Sequence, residues 1–351
     1  MHLGATLLRC YSQTNPRQTF FSPAPSMDST PSLSLNVSPH SRRDILRLLA
    51  GSALAPVLSP ANAVSSDSLP MQLYKSLTDP QRQRVCLPIN HPKRDFISNW
   101  WYICPEERLH TFFTPDQQDL VKQIFESLHA PDFREKMSWQ VQKDLMGNIK
   151  NTPSVAFFGT PENTDFEFIY TGHHVTRRCN AHSDRGLGFG NKPLFYGNFA
   201  KAFREFKDHE GNPFWYQGIA FNAFVATLEP AQRAQLLVDA EPRTEKPSGV
   251  ILTRSSNIPG LPVASLTRDQ QLALLKTMRN MLACFRADDV NATMRTIEEK
   301  NVLSTLFISC YGGDLDIGGD GVWDVWQIEG PNLVWYFRGS PHIHGYFHLT
   351  A

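Results

Sequence analysis

Four helix-start signals punctuate the chain: Leu77-Thr78-Asp79-Pro80-Gln81, Thr114-Pro115-Asp116-Gln117, Leu228-Glu229-Pro230-Ala231-Gln232 and Leu266-Thr267-Arg268-Asp269-Gln270. Three of them place Thr at the N-cap and Gln three residues on. In such a capping box each side chain satisfies a backbone N–H that the first helical turn leaves open. Glu229 departs from the pattern. Leu120, Ile124 and Leu128 follow the second signal at helical spacing, as Leu272, Leu275, Met278 and Leu282 follow the fourth. Thr78 and Glu229 are 151 residues apart, Thr114 and Thr267 153. Each pair of signals precedes a β-rich stretch. The first comprises residues 155–159 and 166–175, the second 323–330, 333–337 and 341–349. Aligning Gly172 with Gly330 gives an offset of 158. The pattern predicts an α+β fold in which capped helices lead into antiparallel hairpins. It also suggests one domain over 72–351, built of two degenerate related halves, 72–226 and 227–351, that share a central sheet.

The first 63 residues read as a leader. Ser41-Arg42-Arg43-Asp44-Ile45-Leu46-Arg47 matches a twin-arginine export signal, residues 48–58 are mostly apolar, and Ala61-Asn62-Ala63 is an A-x-A cleavage site. Met27 is an alternative start, and residues 64–71 read as a linker. The apolar run is too short to span a bilayer. The expectation is export by the twin-arginine machinery, cleavage, and release into the periplasm or outside the cell without stable membrane insertion. That route carries folded proteins, many of them with a cofactor acquired beforehand. Fast folding before export would equally explain its use.

An apolar share of 41% with 19% charged residues supports a packed core. Without the leader, 29 basic groups face 32 acidic ones, so there is no electrostatic footprint for nucleic acid or an anionic membrane surface. Five cysteines remain, Cys86, Cys104, Cys179, Cys284 and Cys310, with no C-x-x-C spacing. At most two disulfides can form, and buried free thiols are the default.

The final strand concentrates the chemistry. Side chains alternate faces along a strand, so His342, His344, Tyr346 and His348 share one face while Ile343, Phe347 and Leu349 take the core side. His342 and His344 can ligate one ion, whereas His348 stands about 13 Å from His344 by strand rise. Adjacent His173 and His174 should point to opposite faces, so one of them completes the shell unless a bulge at Gly172 changes this. His182 and Cys179 follow in the same region, with structural roles expected. Such a set suits zinc, copper or iron, which imidazole does not distinguish. Glu167 or Glu329 could add a carboxylate or act as general base, and Tyr346 could orient substrate or take part in redox chemistry. Arg338 could bind an anion or make a surface salt bridge, and Arg177 and Arg178 read alike. The aromatic groups 100–102, 214–216 and 335–337 are expected in the core. The Gly- and Asp-rich stretch 312–321 reads as a hairpin loop, since it lacks the terminal Glu of an EF-hand. No nucleophile elbow or Walker motif is present.

The Thr/Pro/Asp/Gln helix starts, Phe158-Gly159-Thr160-Pro161, Gly172-His173-His174, Pro193-Leu194-Phe195-Tyr196-Gly197 and Ile328-Glu329-Gly330-Pro331 leading to His342-Ile343-His344 occur here in order. Together they resemble domain-of-unknown-function family 3500 over roughly residues 72–350. The chain departs from the commonest pattern at residues 335–341 and lacks a Trp-Arg-Asp ending, as a divergent exported branch would. The resemblance implies no reaction. The residues favour an exported metal-dependent enzyme, hydrolytic or oxidative, acting on a small molecule. The alternatives are a non-catalytic periplasmic metal- or small-ligand-binding protein, and a metal-free site in which histidines and arginine grip an anion.

Overall fold

The computed structural model describes residues 67–188, 191–198, 212–239, 257–311, 324–339 and 342–350. The leader and the stretch 312–321 lie outside these, as does most of the Pro- and Ser-rich segment 242–262.

Ser68 caps α1 (Leu69–Ser76), which therefore begins inside the stretch read as linker. The predicted boxes start α2 (Asp79–Val85) and, after the short α3 (Leu109–Phe112), α4 (Pro115–Ser127). α5 (Arg134–Asp144) has no side-chain cap. Strand β1 (Cys86–Leu87) precedes α3, and β2 (Ser154–Phe158), β3 (Glu167–Gly172), β4 (Val175–Asn180) and β5 (Leu194–Gly197) follow α5. The later part runs α6 (Trp215–Ala226), α7 (Pro230–Leu236), β6 (Leu237–Val238), β7 (Leu261–Pro262), α8 (Arg268–Met281), α9 (Ala287–Glu299), β8 (Phe307–Tyr311), β9 (Val325–Gly330), β10 (Leu333–Arg338) and β11 (His344–Leu349). At α7, where Glu229 replaces Thr, Gln232 still accepts from the Glu229 N–H at 3.0 Å. The box glutamines also pair with each other: Gln81 with Gln117 at 2.9 Å, and Gln232 with Gln270 at 3.1 Å. Each capping signal thus also clamps two helix starts side by side.

The strands form one mostly antiparallel sheet in the order β1-β2-β3-β4-β5-β11-β10-β9-β8-β6, with β7 added on β8. The fold class is α+β, as the pattern predicts. The order reads alike from either edge. A two-residue parallel strand, β1 or β6, sits on β2 or β8, and antiparallel strands then lead inward to the β5–β11 pair.

Both faces of the sheet are buried. One packs Trp326, Trp335, Phe337, Ile343 and Phe347 with helix residues such as Val121, Ile124, Leu274 and Met278. The other carries Phe195, Tyr336 and Tyr346 beneath Ile97. The aromatic groups lie in the core as expected, except Trp100, which is 48% exposed, and Tyr102, which is half-buried outside it. All five cysteines are free thiols and four are buried.

Arg177 and Arg178 are not surface residues; both are buried. Arg178 and Arg94 grip the two oxygens of buried Glu167, at 2.6 and 2.9 Å, and Arg178 also donates to the Phe96 carbonyl. This network pins the segment after β1 to the sheet and leaves Glu167 no oxygen for general-base chemistry. Glu167→Gln should leave the buried Arg178 guanidinium without its carboxylate, while Arg94 keeps Asp165 at 3.0 Å, and cost about 3–5 kcal/mol, read as a lowered urea midpoint.

Arg177 donates through Nε to His129 Nε2 at 3.0 Å, and His129 Nδ1 donates to the Phe125 carbonyl at 2.8 Å. Burial, then the neighbouring guanidinium, hold His129 well below the usual histidine range. Burial lowers Arg177 to about 10. Below about pH 6.5 the unfolded chain takes up a proton at His129 that the folded chain refuses, so stability falls with pH at up to about 1.4 kcal/mol per unit. Urea titrations between pH 7 and 5 should show this slope, reduced in His129→Gln.

Candidate metal centre

The hairpin between β3 and β4 and the start of β11 come together because β4 and β11 flank β5. β11 begins only at His344, and His342 precedes it. His344 Nε2 lies 2.9 Å from His342 Nε2 and 3.1 Å from His174 Nε2. In a tetrahedral site with bonds of 2.0–2.1 Å, ligand nitrogens stand roughly 3.3 Å apart, so the three rings are close to ligating distance. They form a group that could hold a metal ion. His174 and His344 are buried and His342 is half-buried. Burial first, then the charges of His344 and Arg338, lower His342 to about 4 against the pull of Asp144.

Adjacent His173 and His174 do not point to opposite faces. Their rings stack at 3.8 Å, because His174 occupies the left-handed backbone region at φ 55° within the tight turn. A non-glycine residue there is uncommon and strained. The turn is held by the His174 N–H donating to the Asn99 carbonyl at 2.8 Å. Of the two, His174 joins the trio. His173 is sandwiched between His174 and Trp100, whose ring stacks on it at 4.4 Å, and its Nδ1 donates to the Asp144 carbonyl at 3.2 Å.

Asp144, the last residue of α5, is the member that sequence reasoning missed. Its buried carboxylate accepts from His174 Nδ1 at 2.9 Å and from the Gln140 amide. That contact fixes the tautomer leaving His174 Nε2 bare, as second-shell carboxylates do for metal-bound histidines. The negative end of the helix dipole also favours a cation here. The only local signal was an Asp four residues after Gln140 in a strongly polar segment, and its burial is a tertiary event.

Glu329 and Tyr346 stand apart from the trio. Glu329 is opposite Val334, itself opposite His348, roughly 13 Å along the strands from the Arg338–His344 rung. It accepts from the Gln327 amide at 2.5 Å. Tyr346 shares the histidine face but is buried against Phe195 at 4.6 Å, and Phe195 in turn abuts His344. His348 donates to the Asn191 carbonyl and His182 to that of Asn163, and Cys179 is buried in the core.

Arg338 meets His344 across the β10–β11 ladder, not along one strand. Its Nη2 lies 2.8 Å from His344 Nδ1. Arginine can only donate, so this contact places the His344 proton on Nε2. An ion at Nε2 needs that proton moved to Nδ1 and the guanidinium turned aside. Arg338 therefore opposes a cation both by charge and by tautomer.

The fold and site define an α+β domain with a histidine trio at the junction of the sheet's two wings. Residues 62–348 match the family described as protein of unknown function (DUF3500), and the chain belongs to it. No curated protein and no solved structure matches.

Arg338→Met should tighten zinc binding about ten-fold, ~1.4 kcal/mol, by removing the nearby positive charge. Competition against a chromogenic chelator checks this.

Proposed function

We propose that the histidine trio binds one transition-metal ion, zinc, copper or iron, and that the protein is a metal-dependent enzyme acting on a small molecule. The observation that carries the reading is the convergence of three imidazole Nε2 atoms with Asp144 set behind His174. His174, His342 and His344 would hold the ion, and the bound ion would supply a Lewis acid. Two ligands are buried and His342 is half-buried, which supports access from one side only. Hydrolysis suits three neutral imidazoles around one open position. An oxidative reaction with copper or iron is the alternative within this reading.

The second reading, a binding protein for a metal or small anionic ligand, is favoured by Arg338 beside His344. Export through the twin-arginine route to the periplasm or beyond, as residues 41–63 suggest, belongs to the proposal. So does an ancestral duplication, supported by the sheet order read from either edge and by the two glutamine pairs.

Plasma mass spectrometry on untagged protein exported by its own signal tests the metal. About one equivalent is expected in the parent, and none in folded His174→Asn or in the His342→Ala/His344→Ala double variant. Asn tolerates the left-handed backbone, so loss there reports the ligand and not the turn. A folded parent that holds no metal and takes up no zinc, copper or iron overturns the proposal.

A further inference from the structure

A cavity of about 540 Å³ opens between α4, α5 and the Tyr170 end of β3. It lies within the range of small-molecule sites. Its lining includes none of His174, His342 and His344. Val121 and Phe125 of α4, Val141 of α5, and Leu145 and Pro153 beyond it supply apolar walls. Exposed Asp119, Lys122 and Glu135 also line it, carrying both signs of charge and so favouring neither sign of ligand.

Two hydroxyl-bearing residues, Thr152 and Tyr170, line the cavity. Thr152 is 9% exposed, and its buried Oγ1 has no hydrogen-bond partner. Tyr170 is 4% exposed, and its hydroxyl makes no hydrogen bond among the described residues. Burial raises the Tyr170 pKa, so the phenol is neutral. Thr152 Oγ1 has almost no accessible surface, so the Tyr170 hydroxyl is the group that a ligand's polar atom would meet.

We propose that this cavity is a binding site for an uncharged, mainly apolar molecule of about two fused rings carrying one hydroxyl or carbonyl group. The apolar body lies between α4 and α5, and the polar group meets the Tyr170 hydroxyl. The site is separate from the histidine centre, although α5 serves both: Val141 lines the cavity and Asp144 holds His174.

The test uses 1-naphthol and naphthalene as probes, with binding to the full chain followed by calorimetry and ligand-observed magnetic resonance. Saturable one-to-one binding of both is expected. Tyr170→Phe should weaken 1-naphthol about five-fold and leave naphthalene unchanged, as expected for one lost hydrogen bond. Val141→Trp, a filling substitution at a half-buried position, should abolish both. His174→Asn should bind 1-naphthol as the parent does, and loss of binding there would instead place the ligand at the histidine centre. Absence of saturable binding, or equal loss of the two probes in Tyr170→Phe, overturns the proposal. That comparison decides the matter even if Val141→Trp does not fold.

Discussion

The β5–β11 pair holds the molecule together, and it depends on a missing side chain. Gly345 lies opposite both Tyr196 on β5 and Phe337 on β10. A Cβ there would overlap the Tyr196 ring. The bare backbone lets the tyrosine lie flat across β11 and send its hydroxyl to Gln217 at 2.8 Å, where it also accepts from Trp335 Nε1 at 2.7 Å. This seam joins strands that are far apart in sequence, and it sets the final strand one strand away from the β3–β4 hairpin. The histidine trio exists because of that pairing.

Around the seam the protein buries charge in two different ways. Glu167 neutralises Arg94 and Arg178 under the segment that covers the histidine face. Arg177, on the opposite face, has only neutral acceptors: His129 and the Thr176 and Phe195 carbonyls. The Phe195 contact ties Arg177 to the strand whose ring abuts His344 and His174. Loss of either arrangement would leave an unsatisfied guanidinium in a low-dielectric interior, a costly outcome.

The histidine centre combines strain with support. His174 sits at positive φ, its backbone held by Asn99 and its ring by Asp144, with His173 and Trp100 stacked over it. Several separate contacts thus offset the cost of holding a residue in an unfavourable backbone region. Arg338 supplies the opposing element, a positive charge against His344, which would disfavour a cation at the proposed centre.

Local signals in the chain were sufficient for the four boxed helix starts, the hairpin strands, the α+β class and the pair His342 and His344, but not for α1, which begins inside the stretch read as linker. Capping chemistry and strand alternation act within a few residues and need no partner. Other features depended on contacts between separate elements of the fold, or on turn geometry. The choice of His174 over His173 followed from a turn geometry that simple alternation does not describe. Asp144 joined the site because α5 docks its C-terminus against the hairpin, while the ladder register carried Glu329 away from the histidines and brought Arg338 onto them. The burial of Arg177 and Arg178 was likewise decided when both faces of the sheet were covered. The sequence determined which elements form and which face of β11 bears histidine. Tertiary structure alone decided which side chains share a site, because that depends on register and docking between segments distant along the chain.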